Sequence, residues 1–310
     1  GGVGTGPEVA IPAIGVAVTV GPSPGFVAVS PNGRHAFVAN PQARVLTVVD
    51  TAINRVTAAI PIAAGSPRFL VFSPDGRRLY VSVFNDVGTV HAIEVLDTES
   101  NTVIATIPQP ARPFLPAVSP DGQRLFVPHH DLARISVIDT ATNTEIAQIP
   151  TAPNPHWVAF SADGSLAYTA DHMSNLISVV NTATLKVIAT IPVGASPHSL
   201  AANPHHPVVA SVNFDGDSVS VLDTHTLQVR ATIRVGHHPQ DIVWAPDGRY
   251  AYVVNNGSNS VSVINAATNS VTATLPTGPA PSSIAVSPTG RAAYVSNFEG
   301  GTLQVLDLVG

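Results

Sequence analysis

A four-residue turn recurs along this chain at a nearly constant interval, and that interval constrains the fold more than any other feature. Ser30-Pro-Asn-Gly33 is echoed by turns that begin at Ser73, Ser119, Ser161, Asn203, Ala245 and Ser287, at spacings of 43, 46, 42, 42, 42 and 42 residues. A proline stands six residues before each turn: Pro24, Pro67, Pro113, Pro155, Pro197, Pro239 and Pro281. An acidic or amide residue follows most turns by 20 residues, at Asp50, Asp139, Asn181, Asp223, Asn265 and Asp307. Asp97 comes 24 residues after its turn, which places a four-residue insertion within 85–90. Three markers in one register define seven copies of a unit whose length suits a β-propeller blade.

Each unit reads as four short strands. Between Pro239 and Leu275, Ile242–Trp244 is an apolar run and Ala245–Gly248 a Pro-Asp-Gly turn. Ala251–Val254 is a second apolar run, Ser260–Ile264 alternates with period two, and Val271–Leu275 follows a polar turn. No helical periodicity is present. A sheet of such short strands cannot bury both faces alone, and radial stacking solves that problem. The expected fold is all-β: a seven-bladed propeller of four-stranded antiparallel blades. The last unit stops after its third strand, Thr302–Asp307, and the missing fourth strand is supplied by Ile14–Gly21, which aligns with Val271–Gly278. An N-terminal strand therefore completes the last blade, removing an open edge. The organisation expected is an extension or linker at 1–13 and the propeller at 14–310.

Composition narrows the function classes. With 20 acidic against 14 basic side chains and a net charge of −6, nothing suggests phosphate contacts, so nucleic acid is not an expected partner. The absence of cysteine excludes disulfides, thiolate metal sites and thiol nucleophiles. The most apolar N-terminal stretch, Val9–Val20, is interrupted by Pro12 and Gly15 and is too short to span a bilayer. One lysine, Lys186, among many Thr, Ser, Pro and Asn residues points to an exported protein: extracellular, periplasmic or cell-surface. The Gly-rich residues 1–6 read as the end of a linker to a membrane anchor outside this chain.

The second-strand motif reads Phe37-Val-Ala-Asn40, Tyr80-Val-Ser-Val83, Tyr252-Val-Val-Asn255 and Tyr294-Val-Ser-Asn297. With the Ser-Pro-Asp-Gly turn, the Val-Ile-Asp-Thr third strand and the Ile-Pro-Val-Gly ending, the chain from about 14 to 307 resembles the YVTN family of β-propeller repeats. That resemblance implies a seven-bladed propeller of the kind found in surface, periplasmic and sensor proteins, including ectodomains of bacterial receptor kinases. Seven-bladed lactonases and the propellers of some redox enzymes look similar. The family has no single catalytic motif, so the fold names no reaction.

Residues repeated in most blades are structural by the simplest account. Asp50, Asp97, Asp139, Asp223 and their Asn counterparts can accept N–H bonds two residues on, and the second-strand Asn at 40, 213, 255 and 297 is read the same way. Departures from the repeat are therefore informative. Residues after the leading proline and at the end of the second strand should line one mouth of the central channel. Read around the ring, these sites gather seven of the twelve histidines (His129, His130, His156, His172, His198, His237 and His238) with Trp157, Asp171, Gln240 and Asp241. Arg68, Phe84, Arg112 and Phe114 face them.

The candidate ligand-binding set is His129, His130, His156, Trp157, Asp171, His172, His198, His238, Gln240 and Arg68. Three readings compete. Imidazoles with one carboxylate suit a divalent transition metal (zinc, copper, nickel or iron), with His129, His156, Asp171 and His198 as ligands. The same groups suit a small molecule, a peptide or another protein. The third is a wet, polar mouth without a ligand. No residue is assigned a catalytic role; there is no GxSxG elbow, HExxH or haem motif. The function expected is a non-enzymatic binding, sensor or scaffold propeller, with a metal-dependent lactonase-like hydrolase, using Asp171 or Asp241 as base, as the alternative.

Overall fold

Seven four-stranded antiparallel sheets make up the computed structural model, which describes residues 12–308. The expected linker lies outside these residues apart from Pro12 and Ala13, and Ala13 already belongs to a strand. Blades 1–6 each run in sequence order from the inner to the outer strand. Blade 7 takes Pro281–Val286, Ala292–Asn297 and Thr302–Asp307 from the C-terminal end and Ala13–Thr19 from the N-terminal end. Val18 pairs with Leu303 and Ala13 with Asp307, as the repeat alignment requires. Among the described residues no helix is long and apolar enough to cross a membrane.

Position within the blade explains the pattern along each strand. Second and third strands are covered on both faces by neighbouring blades and read as near-continuous apolar runs, such as Leu79–Phe84 and Ala92–Leu96. Outer strands keep period two because one edge and much of one face meet water. Burial of the wide second-strand rings Phe126, Tyr168 and Tyr252 fills the wedges between blades.

The repeated polar residues hold the turns. Ser73 Oγ donates to Asp75 Oδ1 at 2.7 Å and accepts from Arg78 N at 3.0 Å, while Gly76 sits at φ 73°, a left-handed value that favours glycine. Thr98 Oγ1 then donates to Gly76 O at 2.6 Å, tying the end of the third strand to this turn, and Thr51, Thr140 and Thr182 repeat the bond in their blades. Asp50, Asp97, Asp139, Asn181, Asp223 and Asn265 each accept a backbone N–H two residues on, as expected. Blade 5 lacks the Ser turn. Asn203 Oδ1 instead accepts from His205 N and His206 N, and its Nδ2 donates to Gly248 O in blade 6. The insertion in blade 2 is a loop organised by Asn85, whose Oδ1 accepts from Thr89 N and Val90 N.

The centre of the ring is filled. The second residue after the leading proline is Phe26, Phe69, Leu115, Trp157, Ser199, Asp241 or Ser283 in successive blades. Phe26, Phe69 and Trp157 meet across the axis with ring centroids 5.4–5.8 Å apart. In blade 3 two prolines, Pro113 and Pro116, shorten the inner strand to Ala117–Val118. The freed segment crosses to blade 4, where Leu115 N donates to His156 O and Leu115 O accepts from Val158 N. The polar half of the layer is hydrogen-bonded instead: Asp241 Oδ2 accepts from Ser283 Oγ and Ile284 N, and Ser283 Oγ accepts from Val27 N. An open channel below the mouth is therefore replaced by an aromatic plug and a hydrogen-bonded bridge from blade 6 through blade 7 to blade 1.

Removing residues 1–20 should expose the ladder edge of Thr302–Asp307. The melting temperature should fall by roughly 10 °C or more, with association through the bare edge. Calorimetry and size-exclusion chromatography check this; an unchanged melting temperature contradicts ring closure by this strand.

Candidate functional site

One backbone device presents the variable residues. In blades 2, 4, 5, 6 and 7 the register of the inner pair shifts just after the leading proline, at Arg68, His156, His198, Gln240 and Ser282. In blade 4, Pro155 pairs with Asp171 and Trp157 with Ala170, so His156 is the extra residue. Such a bulge frees a side chain from the ladder and re-aims it. The end of the second strand in blade 2 adds Phe84, and the residue after it in blades 3, 4 and 5 adds His130, His172 and Phe214.

Together they form a continuous arc of rings through blades 2 to 6. Phe84 stacks on Phe114 at 5.1 Å, and Phe114 stacks on His130 at 4.4 Å and meets His156 edge-on at 4.2 Å. His156 lies 5.1 Å from His130, 4.9 Å from His172 and 4.4 Å from His198. His198 continues to Phe214, on which His238 stacks at 4.2 Å. Arg68 caps the other end, its guanidinium 5.0 Å from the centre of Phe84 and its Nε donating to Phe84 O. Arg112 is paired: its Nη2 and Nε fork onto Asp131 at 2.6 and 2.8 Å, and Nη2 reaches His130 Nδ1 at 3.3 Å. Gln240 is half-buried on the same rim.

Four of the imidazoles, His130, His156, His172 and His198, are held toward the neutral form. Burial, then the neighbouring His198, His172 and His130, push the pKa of His156 well below the ordinary value. Burial takes His198 down to about 3 and lowers His130 and His172 as well. His156 is only 5% exposed, yet neither ring nitrogen has a hydrogen-bond partner. His172 Nδ1 and His198 Nδ1 are likewise buried and unpartnered.

His129 and Asp171 do not join them. Both occupy the second-strand position held by Asn in blades 1, 5, 6 and 7 and turn into their own blades. Asn213 and Asn255 donate to the hydroxyl seven residues on, Ser220 and Ser262. In the same way Asp171 accepts from Ser178 and Thr169 Oγ1, and His129 bonds Ser136 and Gln109 Oε1. The structural account of the repeated Asn thus extends to these two, and the proposed metal quartet is split: His156 and His198 face each other while His129 and Asp171 are engaged elsewhere. Among the described residues no group of three or more His, Asp or Glu side chains is arranged to hold a metal ion. Trp157 and Asp241 belong to the central layer beneath the mouth rather than to its rim.

Sequence reasoning missed the bulge, the plug and the role of the second residue after each proline. The last was within reach, since the same alignment read one position further shows four apolar and three polar residues around the ring. The opposite face carries grooves between blades, including one of about 580 Å³ lined by His206, Asp223, Arg230, Arg249 and Tyr250. Similar grooves recur between other blade pairs, which marks them as a product of the repeat.

Comparisons with known proteins agree on the fold. A family described as "Lactonase, 7-bladed beta-propeller" matches residues 44–151, about a third of the chain, from the third strand of blade 1 through blade 3. Among solved structures the chain is similar to the Kuenenia stuttgartiensis Hydrazine Synthase, with TM-score 0.84 and 20% identity over 93% of this chain and 96% of that one. At that identity the likeness is one of fold. No curated protein matches.

Buried ionisable groups outside the arc give a pH-dependent test. Burial raises Asp171 to about 7. Its folded value lies above its unfolded one, so stability present below about pH 4 is lost as pH rises through 7. Burial lowers His129 to about 4, so its contribution, present above about pH 6.5, is lost as pH falls toward 4. Asp171→Asn, which restores the side chain found in blades 1, 5, 6 and 7, should stabilise by about 1–3 kcal/mol at pH 8 and by little at pH 4. Denaturation at the two pH values checks it; equal effects at both would contradict a buried, strained carboxyl.

Proposed function

We propose that the protein is a non-enzymatic binding propeller, a sensor or scaffold, that recognises its ligand or partner at the imidazole–phenyl mouth. The observation that carries this is His156: a nine-tenths buried imidazole at the centre of the arc with both nitrogens unpartnered. Leaving buried polar atoms unsatisfied costs on the order of 1–3 kcal/mol each. A structural histidine would have found partners, as His129 did. Binding rather than chemistry is favoured because Asp171 is spent within its blade and Asp241 in the bridge to blade 7, and general acid–base catalysis wants a base oriented by a third group. A surface or periplasmic location, with a tether outside this chain as in a receptor ectodomain, belongs to the same proposal and rests on composition and on the resemblance to YVTN repeats.

A lactonase-type hydrolase is the second reading. The matched stretch 44–151 favours it, because that stretch supplies Arg68, Phe84, Arg112, Phe114 and His130. In that reading His156 is the group available to activate water.

A thermal-shift screen of small molecules, peptides and transition-metal salts, run on the native chain and on His156→Ala and His198→Ala, separates these readings. A ligand at a hundredfold excess over Kd should stabilise the native chain by about 2.7 kcal/mol, with the shift lost in both variants. Hits that survive both substitutions place recognition elsewhere. Turnover of lactones that disappears in His156→Ala makes the hydrolase reading correct.

A further inference from the structure

The mouth has a charge problem that the chain does not solve by itself. The charged and titratable groups facing His156 are His130, His172, His198 and Arg112, all of which bring no charge or a positive one. The nearby carboxylates are committed: Asp131 is held by Arg112, and Asp215 accepts from Ser196 Oγ at 2.5 Å and lies 3.9 Å from His238 Nε2. Three buried nitrogens from three rings, the Nδ1 atoms of His156, His172 and His198, still lack partners, as does His156 Nε2. Around them the half-buried neighbours are aromatic: Phe114 on one side and Phe214 on the other.

We propose that the His156–His172–His198 cluster is the seat of a small planar carboxylate, taken up together with one proton. The carboxylate accepts from the imidazole N–H groups, and the proton settles on one of these imidazoles, so that a buried ion pair replaces orphaned polar atoms. Proton and anion enter together: an imidazolium alone would sit among other imidazoles beside Arg112, and an anion alone would meet neutral imidazoles, the nearby Arg112 being paired with Asp131. A carboxylate fits better than a phosphate, since each imidazole offers a single N–H and the Arg112 fork is already spent on Asp131. A planar body extends the stacked pairs Phe114–His130 and His156–His172. This rests on the mouth being the recognition face.

Isothermal titration of the full chain with benzoate, benzamide and cyclohexanecarboxylate, at two pH values and in buffers of different ionisation enthalpy, tests the proposal. Benzoate should bind with uptake of about one proton and weaken by up to about tenfold per pH unit above neutrality. Benzamide and cyclohexanecarboxylate should each bind roughly tenfold or more weakly, having lost the charge or the stacking face. His156→Gln and His198→Gln should abolish both affinity and proton uptake, while His205→Gln on the opposite face changes neither. Benzamide binding as well as benzoate, a pH-independent affinity, or indifference to both cluster variants overturns the carboxylate. If zinc or copper instead binds in a His156-dependent way and benzoate does not, the mouth stands as the recognition face and this proposal falls. If nothing that binds depends on His156 or His198, both fall.

Discussion

The ring closes because no blade can keep its own faces dry. Four strands of about six residues leave two apolar faces, and each blade borrows cover from its neighbours. That mutual dependence has no natural end in a linear array, so the chain joins its first strand, Ala13–Thr19, to its last, Thr302–Asp307. The outer strands confirm the logic from the other side. They are the most exposed strands of the blade, and in blades 4 and 6 their exposure alternates along the strand. The hydrogen-bonded bridge from Asp241 through Ser283 to Val27 reinforces the ring at the seam between blades 7 and 1.

A scaffold repeated seven times makes its exceptions meaningful. Ser-Pro-Asp-Gly turns, the Thr bond back to the turn glycine and the Asn-to-hydroxyl bond recur because each satisfies backbone or buried polar groups that every blade must bury. Where the Asn position carries His129 or Asp171, the same bond is made with different chemistry, at the expense of burying an ionisable group. Where the inner strand bulges, no such obligation exists. That freedom is what allows His156 and His198 to gather at one mouth.

Satisfied and unsatisfied groups separate structure from function here. His129 is fully buried, and its ring nitrogens meet Gln109 and Ser136. His156 is nearly as buried and has no partner. Both are neutral for the same reason, loss of solvent, so the difference between them lies in hydrogen bonding rather than in titration.

The repeat period, the blade count, the four strands per blade and the N-terminal closure could all be read from the residues, because turn chemistry and hydrophobic alternation are local and the markers repeat in register. The clustering of His130, His156, His172 and His198 on one rim was legible for the same reason. The direction each side chain takes was not. Whether a residue at the end of the second strand turns inward, as His129 and Asp171 do, or one position later stacks over the mouth, as His130 and His172 do, depends on the neighbouring hydroxyl and the bulge opposite. The plug of Phe26, Phe69 and Trp157 was equally hidden, since residues some 130 positions apart meet only when the ring closes. Local pattern determined the blades; long-range packing around a shared axis decided what stands at their centre.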